Sequence, residues 1–348
     1  CALPILLAAR HERGAIDFET QETRIVFGSG RKIAEIRPTQ RNDAHKLIEE
    51  CMLAANVATA RFMLDHEMPS LYRVHDGPPA ERVEKLKAFL GELGLALHKG
   101  KLGPVPKDYQ KLLASIQGRP DFHLIQTVML RSLSQAVYSA QNNGHFGLNY
   151  EAYTHFTSPI RRYPDLLVHR AIRSVIRSKR ETKHVQRAGA ASMPKARIYP
   201  YDEAALEKLG EQCSMTERRA DEATRDVVNW LKCEFMQDRV GEIFEGVITA
   251  ATGFGIFVEL KDIYVEGLVH VTALPADYYH FDPMHHRLSG ERSGRSFRLG
   301  DSVEVRVMRV DLDERKIDFE LSETAQSAPA GRRQRGDAKS SRDKSRKR

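Results

Sequence analysis

Apolar residues along this chain keep two different rhythms, and the change of rhythm divides it. From about residue 42 to residue 238 they recur every three or four positions, the spacing of helices with one buried face. From about residue 240 to residue 321 they alternate, the spacing of half-buried strands. In the first part the spacing predicts a helix over 42–64, with Leu47, Cys51, Ala54, Ala58 and Phe62 as its buried stripe. Asn42, Glu49 and Asn56 form a separate polar line, read as a solvated face. A turn-rich connection with a strand-like start covers 72–79, and helices follow at 80–94, 107–116 and 121–138, with a Gly/Pro loop at 100–106. Ahead of all these, 15–18, 23–27 and 32–36 read as strands, the last two joined by a Gly-Ser-Gly turn. Another helix runs to about Ser178, a basic surface loop covers 179–200, and a long amphipathic helix spans 202–238. Leu206, Leu209, Cys213, Ala220, Val227, Trp230, Leu231 and Phe235 mark its inner side, and the charged run 217–222 reads as solvated.

In the alternating part, segments 243–249, 254–260, 265–271, 302–310 and 316–321 make five strands, and 311–315 closes the last hairpin. Five short strands with an irregular insert before the fourth suit a small OB-type barrel. Alternation sets Phe254 and Phe257 on opposite faces unless Gly255 permits a bulge. The expected fold is α+β: a helix-rich domain over 1–238, a five-stranded OB-type β-barrel over 239–323, and a disordered Lys/Arg-rich tail over 324–348.

Composition narrows the partners. The chain has 348 residues and a formal charge of +7. Residues 331–348 hold nine Lys/Arg against two Asp/Glu, so the tail alone accounts for that excess and the first 330 residues are balanced. Bulk charge therefore makes only the tail a polyanion-binding arm, and any nucleic-acid site in the body has to be found residue by residue. Four cysteines, widely spaced and without a Cys-x-x-Cys pair, suggest neither a disulfide framework nor a zinc site, which fits a reducing cytoplasm. No apolar run approaches bilayer length, and the start lacks the basic region and cleavage site of a signal peptide. The chain opens on Cys1 and an apolar run without a methionine, as an internal segment of a longer protein would.

The densest chemistry lies in 144–170. Pro164 stands in the first turn of a helix, where its missing N–H is harmless, and Asp165 follows where a carboxylate suits the helix dipole. Thr157, Ser158, Arg161 and Arg162 thus gather ahead of a helix N-terminus. Hydroxyls, guanidinium forks and free backbone N–H groups are what a phosphate needs. The plainer reading keeps the two arginines solvated or salt-bridged and the aromatics as packing.

The run His145-Phe146-Gly147-Leu148, Thr157-Ser158-Pro159-Ile160-Arg161-Arg162-Tyr163-Pro164-Asp165 and His169-Arg170 closely resembles the most diagnostic block of the ribonuclease II (RNB) exoribonucleases. The segment 241–322, with Gly253-Phe254-Gly255-x-Phe257-Val258 and Glu266-Gly-Leu-Val-His270, resembles the RNA-binding OB module of the largest small-subunit ribosomal protein. The first resemblance implies the later half of an RNB catalytic domain. It makes Arg161 the catalytic arginine that stabilises charge on the scissile phosphate, and it places His145, Thr157, Ser158 and Arg162 at the RNA. It also implies that Phe18 stacks on bases and that Glu49 contacts a nucleotide. The second puts Phe254, Phe257, His270, Asp311 and Arg315 on an RNA face.

The family's metal-binding Asp run has no match in this chain, so Mg²⁺ is expected in the intact protein on ligands supplied from outside these residues. The implied activity is processive 3′-to-5′ hydrolysis of RNA to 5′-mononucleotides, with this segment binding single-stranded RNA but inactive alone. Expected partners are single-stranded RNA 3′ ends in mRNA and rRNA, and the ribosome or trans-translation machinery. The protein is expected to be a cytoplasmic monomer with no membrane contact. The alternative is a non-catalytic, ribosome-associated RNA-binding factor on an RNase-like scaffold.

Overall fold

The structure is a computed structural model that describes residues 2–18, 22–97, 103–119, 121–178, 192–283 and 285–322. The tail and most of the 179–200 loop lie outside the described residues. The chain divides into two units, 1–235 and 236–348.

In the first unit the opening apolar run forms a helix, α1 (Ala2–Arg13), which its spacing does not single out. Residues 15–18 are extended but not a strand, contrary to the expectation. Ala15 and Ile16 are buried, yet among the described residues the only backbone bond they donate to a distant segment is Ile16 N–H to the Gly147 carbonyl at 2.9 Å. Without a partner strand, alternation makes no ladder. The hairpin β1 (Thr23–Phe27) and β2 (Ile33–Pro38) forms as expected.

Helix α2 (Asp43–Asp65) starts at Asn42, whose side chain accepts from the His45 N–H while His45 Nδ1 accepts from the Asn42 N–H. A histidine thus completes the reciprocal cap usually closed by Glu or Gln. Its buried face is Glu50, Leu53, Asn56, Val57, Ala60 and Met63. This corrects the expected stripe: Cys51, Ala54 and Ala58 are exposed and Asn56 is inside. Most of the helix is apolar around its circumference, so two stripes compete and the sequence pattern does not choose between them.

A short strand, β3 (Tyr72–Val74), precedes α3 (Ala80–Glu92), α4 (Pro106–Ile116) and α5 (Phe122–Ser132). The expected helix over 121–138 stops at Ser132, and Val137–Ser139 becomes β4, which pairs antiparallel with β3. Helices α3, α4 and α5 bury Leu86, Leu90, Tyr109, Ile116, Ile125 and Met129 in one core. A second core joins Met63 of α2 to Leu167, Val168 and Ala171 of α6 (Tyr163–Ile176) and Leu206 of α8 (Glu203–Gln237), with the one-turn α7 (Lys195–Ile198) leading into Tyr199. At Gly210 of α8 a Cβ would lie 2.8 Å from the Tyr138 carbonyl oxygen, so β4 approaches α8 only because no side chain stands there. The expected inner side of α8 holds at Leu206 and Cys213, but Ala220, Val227 and Trp230 are exposed.

In the second unit β5 (Ile243–Thr252), β6 (Gly255–Leu260), β7 (Glu266–His270), β11 (Ser302–Asp311) and β12 (Lys316–Leu321) close a barrel in the order β11-β12-β7-β6-β5. Alternate residues Ile256, Val258, Leu260, Val305, Val307 and Phe319 fill it. The insert is more regular than its sequence suggests. It forms a three-stranded sheet of β8 (Tyr279–Asp282), β9 (Arg287–Gly290) and β10 (Ser296–Arg298). The fold is α+β as expected. No helix among the described residues is long and apolar enough to cross a membrane.

Candidate nucleic-acid interface

The stretch 144–165 is held from behind by residues far away in sequence. The Asn56 amide donates to the Tyr153 hydroxyl at 2.9 Å, and its carbonyl accepts from the Phe156 N–H at 2.9 Å. Thr154 Oγ1 donates to the Leu71 carbonyl, and the Arg73 N–H to the Tyr153 carbonyl. His169 Nε2 lies 2.9 Å from the Phe156 carbonyl oxygen and stacks on the Phe156 ring. Buried polar groups with satisfied partners of this kind fix one loop conformation.

At the helix N-terminus the two arginines differ. Arg162 caps α6 and donates to Asp165 Oδ1 at 2.8 Å. The same oxygen accepts the Ser158 N–H at 2.8 Å, and the Asp165 side chain is fully buried. Arg161 is exposed; its backbone N–H donates to the Ser158 carbonyl at 3.3 Å, and its guanidinium makes no hydrogen bond or ion pair among the described residues. Thr157 and Ser158 are half-buried in the turn ahead of it. Asp165 therefore engages one arginine and the Ser158 N–H through a single oxygen, pinning the turn and leaving the Arg161 guanidinium available to an anion.

Beside this turn lies a cavity of about 410 Å³. Ala44, Ile48, Met52 and Leu53 of α2 form one wall, and Glu49, Asn56, Tyr153, His155 and Arg162 supply its polar groups. An apolar wall with few convergent polar groups is the usual form of a small-ligand site. Glu49 faces the cavity while paired with Arg41 and standing 3.9 Å from Arg10, which also binds Glu50 at 2.7 Å. Burial first, then the charges of Arg162, Arg73 and Arg161, push His155 down to about 3, so it is neutral at physiological pH. Its Nδ1 lies 2.8 Å from the Tyr138 hydroxyl, which also donates toward Glu217 at 3.4 Å. Arg73 holds Glu217 at 2.6 Å, so this member of the charged run on α8 is paired, not solvated.

The other residues singled out from sequence fall into place unevenly. His145 is pushed down to about 3 by burial and by His75 and Arg73, and its Nδ1 accepts the Leu148 N–H. A neutral ring so engaged offers no positive charge to a phosphate. Phe18 is half-buried against the core of α3, α4 and α5. On the barrel, Gly255 has φ +153°, and a Cβ there would lie 2.3 Å from the Val269 carbonyl oxygen. This glycine turn brings the Phe254 and Phe257 rings edge to face at 5.9 Å, and it pairs with His270. Asp311 and Arg315 lie on the β11–β12 hairpin, where Asp311 accepts from Arg309 and from the Glu314 N–H. With Asp318 opposite Leu268, the hairpin and His270 flank opposite ends of β7. Tyr138, Tyr153, His155 and Arg73 escape the sequence reading, and Asn56, expected on a solvated face, is buried. The one signal for Asn56 is an amide inside an apolar helix, and Tyr153 and His155 sit unremarked inside the diagnostic block.

Among the described residues no group of three His, Cys, Asp or Glu side chains is placed to hold a metal ion. The carboxylates nearest the cavity, Glu49, Glu50 and Asp165, are each engaged by arginine. These residues do not fit a magnesium site.

The RNB domain model matches residues 4–178, and the S1 RNA binding domain model matches residues 237–322. Ribonuclease R of Vibrio cholerae serotype O1 is 54% identical over 321 residues, 92% of this chain and 38% of that protein. Ribonuclease R of Escherichia coli K12 is 52% identical over 91% of this chain and 38% of its own length. The chain thus spans well under half of these relatives. The apo form of Mycoplasma genitalium RNase R superposes with a TM-score of 0.81 at 26% identity, covering 92% of this chain and 48% of that one.

Proposed function

The chain belongs to the RNB domain family, and on that premise we propose that it forms part of a hydrolytic 3′-to-5′ exoribonuclease of the ribonuclease R kind. The enzyme releases 5′-mononucleotides processively from RNA. The observation that carries the reading is the division of labour at the α6 N-terminus, where Asp165 occupies Arg162 and leaves Arg161 exposed and unpaired. A free guanidinium above a pinned turn stabilises negative charge that develops on a phosphodiester. Thr157, Ser158 and the turn's backbone orient the same phosphate, and the adjoining cavity, with Glu49 at its edge, receives the sugar–base unit. In the barrel unit, Phe254, Phe257 and His270, with Asp311 and Arg315, contact the RNA strand. Their rings offer stacking surfaces that tolerate any base.

Since the described residues do not fit a magnesium site, any Mg²⁺ would be held by carboxylates supplied from outside this chain, where it would provide Lewis-acid chemistry. The 348 residues therefore bind single-stranded RNA and hydrolyse none. The substrates are 3′ ends of single-stranded mRNA and rRNA, met in the cytoplasm by a monomer that works near the ribosome.

Arg161→Ala in the full-length protein tests the assignment. Turnover of a 5′-labelled oligoribonucleotide should fall at least a hundredfold, with RNA affinity measured under chelation changing less than threefold. Equal losses in both would make Arg161 a binding residue. No mononucleotide release by the intact protein with Mg²⁺ would favour the non-catalytic RNA-binding factor.

A further inference from the structure

We propose that His155 reads the ribose 2′-hydroxyl of the bound strand, through a bare Nε2 that the Tyr138 hydroxyl holds toward the cavity. The inference rests on the RNA reading above and adds a specificity-determining residue to it. A phenol has one proton. Directed at the Glu217 carboxylate, it leaves the phenol oxygen to accept Nδ1–H of His155 at 2.8 Å. Glu217 is fixed for this purpose by Arg73, whose guanidinium also lies 4.6 Å over the Tyr138 ring. An imidazole that donates from Nδ1 carries its lone pair on Nε2. Burial and three nearby arginines keep the second proton off. Nε2 has no hydrogen-bond partner among the described residues, and His155 lines the cavity beside Arg162.

The site therefore sets this neutral acceptor beside the Arg162 guanidinium donor. Phosphate oxygens and base carbonyls have no proton to give that acceptor, so it selects against them. The donor that RNA carries nearest its phosphodiester is the 2′-hydroxyl, on the carbon adjoining the one that bears the 3′-phosphate, and DNA lacks it. A buried acceptor built for a hydroxyl discriminates strongly against a ligand without one.

The test uses the full-length protein under chelation and a homopolymeric oligoribonucleotide in which one 2′-deoxy sugar is walked through the 3′-terminal positions. Wild type should show one position where the deoxy sugar weakens binding about tenfold. In His155→Phe that penalty should fall below twofold, and His155→Gln, whose amide oxygen reaches the place of Nε2, should retain most of it. Nitrogen NMR of the free protein should show His155 protonated at Nδ1 and bare at Nε2. An unchanged penalty in His155→Phe, equal weakening of both oligonucleotides, or a protonated Nε2 would each overturn the assignment. Absence of RNA binding by the wild type would instead remove the RNA reading, and this inference with it.

Discussion

The α6 turn and the barrel face present RNA-binding chemistry in opposite ways. At the turn, function depends on burial. Asn56, Asp165 and Glu217 are drawn inside or half inside, and each is matched to a partner distant from it or across the turn. On the barrel, Phe254 and His270 are exposed on a surface that the ladder itself positions, and their immediate partners are sequence neighbours. The first arrangement gives one fixed geometry for one phosphate. The second gives an exposed surface whose rings tolerate different bases.

If rigidity at the turn comes from Asp165, removing that carboxylate should have the largest effect. Asp165→Ala leaves Arg162, only about one-fifth exposed, without its partner and frees the Ser158 N–H. The first unit should lose about 3–5 kcal/mol, measured by urea unfolding of the intact protein. A loss below about 1 kcal/mol would show that the turn holds itself.

Acid should separate the two regions next. His145 and His155 stand near 3 when folded against an ordinary value of 6.5, so the unfolded chain binds their protons first. Their contribution is complete above pH 6.5 and is lost as pH falls from there toward 3. At pH 5 each should cost the first unit roughly 2 kcal/mol, because the unfolded rings are then protonated and the folded ones are not. On the barrel, Asp277 and Asp311 are lowered, by hydrogen bonds from Ser293 and from the Glu314 N–H, and lose their contribution only below the ordinary carboxylate value. Calorimetry between pH 7 and 5 should show the first unit's transition falling while the barrel's holds.

The same contrast explains what could be read from the sequence. The five barrel strands and their hairpin were legible because each is set by local alternation and a turn. Helix α6 was legible from Pro164 and Asp165 in its first turn, and the α6 arginines from the motif. The buried face of α2 was not, since Asn56 is inside only because Tyr153 and Phe156, about a hundred residues on, accept and donate there. Strand β4 exists only against β3, more than sixty residues earlier. His155 lies between the motif residues and carries no signal of its own in the sequence. Its neutrality comes from burial and from three arginines, Arg73 and the adjacent pair Arg161 and Arg162.

A steric lesion on the barrel should have a smaller effect. Gly255→Ala places a Cβ against the Val269 carbonyl at a φ that L-residues avoid. It should cost the barrel about 2–3 kcal/mol and separate the Phe254 and Phe257 rings, read as weaker binding of single-stranded RNA. Intact affinity after such a loss would mean that the aromatic pair is not the contact.

The smallest effect sharpens the comparison most. Arg161→Ala removes an exposed side chain with no partner among the described residues. Stability should therefore move by no more than about 0.5 kcal/mol. Arg162→Ala should cost several times that, because it strands the buried Asp165. Two adjacent arginines would then differ in what they serve, one the fold and the other the ligand. Should Arg161→Ala destabilise the first unit as much as Arg162→Ala does, its guanidinium would be bonded in solution. The turn would then hold no free cation for a scissile phosphate.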